Sequence, residues 1–415
     1  MRIALLTYST RPRGGVVHTL ALAESLVELG AAVDVWTLAR GGDSGFFRPV
    51  DPRVGLRIVP LPDLPDEPVG RRIRRSIAVL ADAFDDAGYD AVHAQDCISA
   101  NAVLDAAAAT TTAAAATPDR GPARCVRTIH HLDSFTTPEL AACHERAVVA
   151  PRAHVCVSAA VATEVERGWG IRPTVIANGV DASRFAAAAD DRAGRRAWRD
   201  RLGPYVLAVG GIEPRKGTAD LVEAMAAVQR ARPDLSLVIA GGETLFDYRD
   251  YRESVLDRAA RLGVTPRILG PVPHGELPAL VAEAAAFAFP STKEGFGLAA
   301  LEALAAGVPV VARDLPVLRE VLGGAVRYAA TADDLGAALL AAASGCDAAR
   351  LAGGRALAAR YTWAEAARAH LAFYRRLGAA GRGGGGRPPP PPPPPPGGGA
   401  GGSRVSRRRR PAAAG

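Results

Sequence analysis

An apolar run, Ala284 to Phe289, leads into Pro290-Ser291-Thr292-Lys293-Glu294-Gly295-Phe296-Gly297. Leu298-Ala299-Ala300-Leu301-Glu302 follows at helical spacing, and beyond Gly307 comes the apolar Pro309-Val310-Val311-Ala312. Strand, tight glycine loop, helix and strand make a βαβ unit, which commits its strands to a parallel sheet. In such a sheet the loop stands at the carboxyl ends of the strands, and the first amides of the new helix point at whatever binds there. Anions are favoured at that place. Glu294 lies in the loop and Glu302 roughly two turns farther on, so the pair could accept hydrogen bonds from two sets of ligand hydroxyls. A polyhydroxylated anion would satisfy amides and carboxylates together. Taken alone, the same residues also suit a helix-capping Glu294 and a solvent-facing Glu302.

The unit recurs along the chain. Ile3 to Thr7 reads as a strand, Tyr8 to Gly15 as a loop, and Val17 to about Leu29 as an amphipathic helix that Gly30 stops before the next strand at Val33. Gly14 and Gly15 let backbone approach a ligand closely, but Gly-x-Gly-x-x-Gly is absent, which counts against a dinucleotide. The stretch from Gly70 to Phe84 carries Arg71, Arg72, Arg74 and Arg75 at the start of an amphipathic helix. Such a helix suits either an anionic lipid surface or a core position with a solvated basic end. Cys125 to Ile129 is a strand that delivers His130-His131-Leu132-Asp133 to the rim. Two adjacent histidines in extended chain point to opposite sides, so at most one of them faces the cleft. After the turn Asn178-Gly179-Val180-Asp181 the pattern restarts with Tyr205 to Val209 and Gly210-Gly211-Ile212-Glu213-Pro214-Arg215-Lys216-Gly217. A cation there about 4 Å from a phosphate oxygen would contribute on the order of 4 kcal/mol before desolvation. The spacing of a Walker loop is missing. Ile268 to Val272 is a further strand-to-loop transition, Ala325 to Tyr328 a last strand, and Thr362 to Glu365 a capping box that opens a helix to about Leu377.

Of the 50 basic residues only Lys216 and Lys293 are lysines, and both fall in glycine loops. The net charge of +7 owes much to Arg404 and Arg407 to Arg410 in the tail, which makes it weak support for a nucleic-acid partner. The five cysteines are scattered and never form Cys-x-x-Cys, which favours reduced, buried thiols over disulfides or zinc ligands. The chain start is too short for a signal segment, and no apolar stretch of about 18 residues exists to span a membrane. Cytoplasmic placement is therefore expected.

Two βα-repeat halves with glycine loops on facing rims resemble the GT-B architecture, and specifically the retaining glycosyltransferases of family 4. The resemblance covers residues 1 to about 377. It is carried by Gly14-Gly15, Thr128-Ile129-His130, Asn178-Gly179-Val180-Asp181 with Arg184-Phe185, Gly211 to Gly217, and Glu294-x7-Glu302. It implies an α/β fold of two facing Rossmann-like domains, with a C-terminal helix crossing back to the first. The boundaries expected are 1–180 for the acceptor domain, 181–362 for the donor domain, 363–377 for the crossing helix and 378–415 for a disordered Gly/Pro/Arg tail.

The resemblance also implies roles. Arg215 and Lys216 would bind the diphosphate of a UDP- or GDP-sugar, assisted by Gly211, Gly295, Phe296 and the amides of Gly297 and Leu298. Glu294 would hold sugar hydroxyls, Glu302 the ribose, and Val272 and its neighbours the base. His130 would stand near the transferred sugar, with His131 where aspartate is common. Transfer would be front-face, with the departing phosphate oxygen helping to deprotonate the acceptor, and with neither metal nor resident cofactor. The acceptor, whether small molecule, glycan or lipid, is not encoded in a readable pattern, and contact with the inner face of an anionic membrane stays open. The other readings are a sugar-nucleotide epimerase or phosphorylase on the same architecture, and a binding protein acting through the tail.

Overall fold

In a computed structural model, which describes residues 1–113, 125–133, 135, 137–242, 248–345 and 347–383, the apolar runs assemble into two parallel sheets. The first contains β1 (Arg2–Thr7), β2 (Ala32–Arg40), β3 (Gly55–Leu61), β4 (Ala91–Ala94), β5 (Cys125–Ile129), β6 (Ala153–Cys156) and β7 (Thr174–Val175), in the order β3-β2-β1-β4-β5-β6-β7. The second contains β8 (Tyr205–Val209), β9 (Ser236–Ala240), β10 (Arg267–Gly270), β11 (Ala286–Phe289), β12 (Val310–Arg313) and β13 (Arg327–Ala329), ordered β10-β9-β8-β11-β12-β13. Helices connect the strands, except β2 to β3, which a loop joins, and they cover the sheets, so the central strands read as continuous apolar runs. β11, Ala286–Phe289, is buried at every residue. In each sheet the strand order reverses beside the first strand of that half, β1 or β8. That switch point leaves a crevice at the carboxyl ends.

The last helix, Trp363–Gly383, leaves the second half and packs on the first. Ala367, Leu371, Phe373 and Tyr374 share one core with Ile3, Leu5, Val16 and Leu20. Burial of each large apolar side chain of this kind contributes roughly 1.5–3 kcal/mol, so the crossing helix is integral to the first domain. Thr362 Oγ1 accepts from the Glu365 amide at 3.2 Å, as the spacing suggests.

Three local differences from the sequence expectation have physical reasons. The first helix begins at Gly14, not near Val17, so both glycines form its opening turn instead of the loop before it. Residues 323–325 make a 3-10 turn, and the last strand starts at Arg327, not Ala325. The basic helix, Val69–Ala83, presents less free charge than its sequence suggests. Arg75 makes a two-pronged contact with the buried Glu67 at 2.8 Å on each prong, Arg72 lies 3.7 Å from the same carboxylate, and Arg74 reaches Glu139 at 3.1 Å. The low-complexity Ala/Thr run from Ala106 to Thr117, which reads as a lengthened helix or a surface connection, is helical as far as Ala113. Its remainder lies outside the described residues; of the tail expected over 378–415, residues 378–383 continue the last helix and the rest lies outside the described residues. Among the described residues no single helix is long and apolar enough to cross a membrane.

Candidate active site

The loop after β8 closes on the loop after β11. Pro214–Lys216 is one turn of 3-10 helix, and Gly217 follows at φ +65°. A side chain at 217 is excluded twice, because a Cβ would sit 2.1 Å from the Pro290 carbonyl oxygen. The Thr292 amide donates to the Arg215 carbonyl at 2.8 Å, which clamps the two loops together. Two cations therefore converge on one carboxylate. Lys216 Nζ lies 2.6 Å and Arg215 Nη1 3.5 Å from Glu294 Oε1, and Arg215 Nε is 3.3 Å from Glu213. Burial by itself would raise the Glu294 pKa, but Lys216 and Arg215 outweigh it and bring it to about 2. Burial works against the charged Arg215, yet Glu294 and Glu213 leave its pKa raised. Both shifts favour the charged forms of Glu294 and Arg215, which can exchange partners with an incoming anion.

Beside it the helix Leu298–Ala305 begins at Gly297, φ +101°, with no side chain capping its first amides. Those amides carry the partial positive charge of a helix start. Phe296 does not face the crevice; it is buried, with its ring 5.3 Å from Tyr361. Glu302 lies farther along that helix, apart from the cation cluster. Burial pushes its pKa up to about 7, with Arg184 opposing and Asp181 reinforcing. Arg184 itself donates to the His274 carbonyl, two residues beyond the half-buried Val272. Across the cleft the His274 ring meets Phe47 of the first domain at 5.6 Å.

On the first-domain rim the two histidines part as alternation requires. The His130 ring turns inward, over Gly15 and 4.9 Å from His18, and burial above all holds it neutral. What His130 offers the second domain is its carbonyl, against which Gly295 packs so closely that a Cβ would lie 1.6 Å from the oxygen. His131 turns to Asp133, Nε2 to Oδ2 2.9 Å. Burial would raise the Asp133 pKa, but His131 and Arg215 outweigh it and hold it low. Other contacts also bridge the domains. Ser158 Oγ donates to the Gly295 carbonyl at 2.8 Å, and Glu320 accepts from the Ala159 and Ala160 amides at 2.8 and 2.9 Å. Lys293, the second lysine, reaches Glu164 at 3.4 Å and takes no part in the cation cluster.

The structure thus brings Arg215, Lys216, Glu294, Gly295 and the start of the Leu298 helix to one place, with Gly210-Gly211 at the end of β8 lining the adjacent depression. Glu302 and Arg184 form a second polar patch. Gly15 stands under His130, while Gly14 before it is exposed. No local pattern announces Ser158 or Glu320, whose partners are set by chain folding, whereas Glu213 and Asp133 each pair with a residue two positions away, Arg215 and His131, and that spacing is a signal in the sequence.

Residues 12–184 match the family model described as Glycosyltransferase Family 4, and residues 198–339 that described as Glycosyl transferases group 1. A D-inositol 3-phosphate glycosyltransferase from Salinispora arenicola is 32% identical over 355 residues, spanning 75% of this chain and 76% of its own. Among solved structures, sucrose-phosphate synthase from Thermosynechococcus elongatus shares the fold with a TM-score of 0.68 at 21% identity, covering 91% of this chain and 99% of that one. Anabaena HepE, solved in complex with UDP-glucose, does so at 0.63 and 17% identity, over 92% and 99%.

Proposed function

The chain belongs to the group 1, or family 4, glycosyltransferases of GT-B fold, and we propose that it moves a hexosyl group from a UDP- or GDP-sugar to an acceptor hydroxyl with retention of anomeric configuration. The observation that carries this reading is the Lys216–Glu294–Arg215 cluster at the carboxyl edge of the second sheet. A diphosphate entering the crevice offers the cations a new partner and frees Glu294 to accept from sugar hydroxyls. The uncapped amides of Leu298 and its neighbours then stabilise charge that grows on the leaving phosphate. His130 contributes its carbonyl at the closed face, and Val272 and its neighbours meet the base. Positioning and leaving-group stabilisation together supply the catalysis. Because the two cations carry the diphosphate charge, transfer is expected to survive EDTA. The acceptor is sought on the first-domain rim. The named substrate of the Salinispora relative places a phosphorylated polyol in the acceptor panel beside glycans and lipids.

Binding of UDP, GDP and their hexose conjugates, followed by slow donor hydrolysis without acceptor, tests the donor half. Failure of every nucleotide to bind would remove the reading. Glu302 adds a pH signature. A ribose diol donates to the ionised carboxylate, so binding favours deprotonation of a group whose pKa stands at about 7. Donor affinity should therefore fall as pH drops through that value, several-fold between about pH 8 and about pH 6. Calorimetry at the two pH values checks this, and the dependence should vanish in Glu302→Gln.

A further inference from the structure

His18, His93, His130 and His370, from the first helix, β4, the tip of β5 and the crossing helix, lie together in the first domain. Burial first, then mutual repulsion for His18, keeps the cluster uncharged; His18 is pulled down to about 3 and His370 to about 4. His93 is satisfied on both nitrogens, by Tyr374 at 2.6 Å and Thr128 at 2.7 Å. His18 is not. Its Nδ1 meets Asn178 Oδ1 at 2.8 Å, while Nε2 is buried without a hydrogen-bond partner. With the amide oxygen as acceptor, the proton sits on Nδ1 and Nε2 is a bare lone pair. A site that needed only bulk would be better served by an apolar side chain, which leaves no polar atom unpaired. What histidine adds there is the hydrogen bond to Asn178.

Asn178 belongs to the first covalent crossing between the domains. The second crossing runs against it: the Val180 amide donates to the Tyr361 carbonyl at 3.0 Å, and a Cβ on Gly179 would stand 2.3 Å from the Trp363 nitrogen. His18 touches both crossings, Asn178 by hydrogen bond and Trp363 ring to edge at 5.4 Å. Its other neighbour is the His130 ring, edge-on at 4.9 Å and 80°. We propose that His18 is a positioning residue that ties the two interdomain crossings to His130, so that the His130 carbonyl meets Gly295 only when the crossings are seated. The proposal rests on the transferase reading for its catalytic consequence, though the coupling itself does not need a substrate.

Two measurements test it. The ratio of sugar transfer to donor hydrolysis, taken in one reaction, is independent of how much enzyme is folded. A loosely aligned cleft admits water, so His18→Leu should lower that ratio by about tenfold or more, whereas His18→Gln, which keeps an N–H for Asn178, should lose much less. A role in packing alone gives equal ratios, or the reverse order, and would overturn the proposal. Ring correlations of the eight histidines in the nucleotide-free protein supply the second arm. Asn178→Ala should shift the His130 signals in the wild-type background and leave them in place in His18→Leu; no shift, or the same shift in both backgrounds, also overturns it. Wild-type protein that turns over no donor would defeat the transferase reading, and the histidine signals would still decide the coupling.

Discussion

Lys216→Ala is expected to reduce kcat/KM by about 10³ with the fold intact, the order seen when one preorganised partner of a developing charge is removed. The ammonium is 2.6 Å from Glu294, its stem lies over Gly210, and its Nζ stands 5.5 Å from the Phe289 ring, so the side chain is fixed before any ligand arrives. Removing it takes away a cation for the diphosphate and leaves Glu294 with Arg215 at 3.5 Å as its nearest remaining cation. Arginine is a poor substitute, because the space is shaped for a compact ammonium and a planar fork needs a different approach. Steady-state kinetics together with circular dichroism checks both halves of the expectation. Activity within a few-fold of wild type would take Lys216 out of the site.

Gly295→Ala should be nearly as costly for a different reason. The added methyl would stand 1.6 Å from the His130 oxygen, a main-chain atom that cannot swing aside, so the domains must part. Ser158 would then lose the Gly295 carbonyl, and Glu320 the amides of Ala159 and Ala160. Each domain keeps its own core, since the clash lies between them. Nucleotide binding should weaken by much less than kcat, which falls by about 10² or more, because closure aligns the reacting groups and excludes water. Calorimetric nucleotide binding with X-ray scattering distinguishes this outcome from unfolding. A normal radius of gyration with normal kcat would show that the Gly295–His130 contact is not part of turnover.

The periodic features of the chain were legible before any coordinates. β11, the loop at Glu294 and the helix from Leu298 form one local unit, and their apolar spacing and glycines dictate it. The same holds for β8 and its cation loop, and the alternation rule separated His130 from His131. The sequence was silent where partners meet through tertiary folding. His18 and Asn178 are 160 residues apart, and Ala159 and Glu320 are separated by 161. Neither pair has a period to betray it. The basic helix was misleading in the same way. Its arginines read as free charge, because Glu139 lies 65 positions from Arg74 and Glu67 sits in the proline-rich connection before the helix. Gly14 and Gly15 read as loop because glycine ordinarily interrupts a helix, yet an opening turn tolerates it where the first amides are free anyway.

The account stands most directly on the stereochemistry of transfer. An α-linked UDP- or GDP-hexose is incubated with the full chain and an acceptor panel that includes a phosphorylated polyol, and the anomeric proton of the first-formed product is read by NMR. The expected result is release of the nucleoside diphosphate with an α-linked product. Release accompanied by a β-linked product would contradict retention at this site, and unchanged donor with every acceptor would contradict the assignment of the Lys216–Glu294–Arg215 cluster as a donor site.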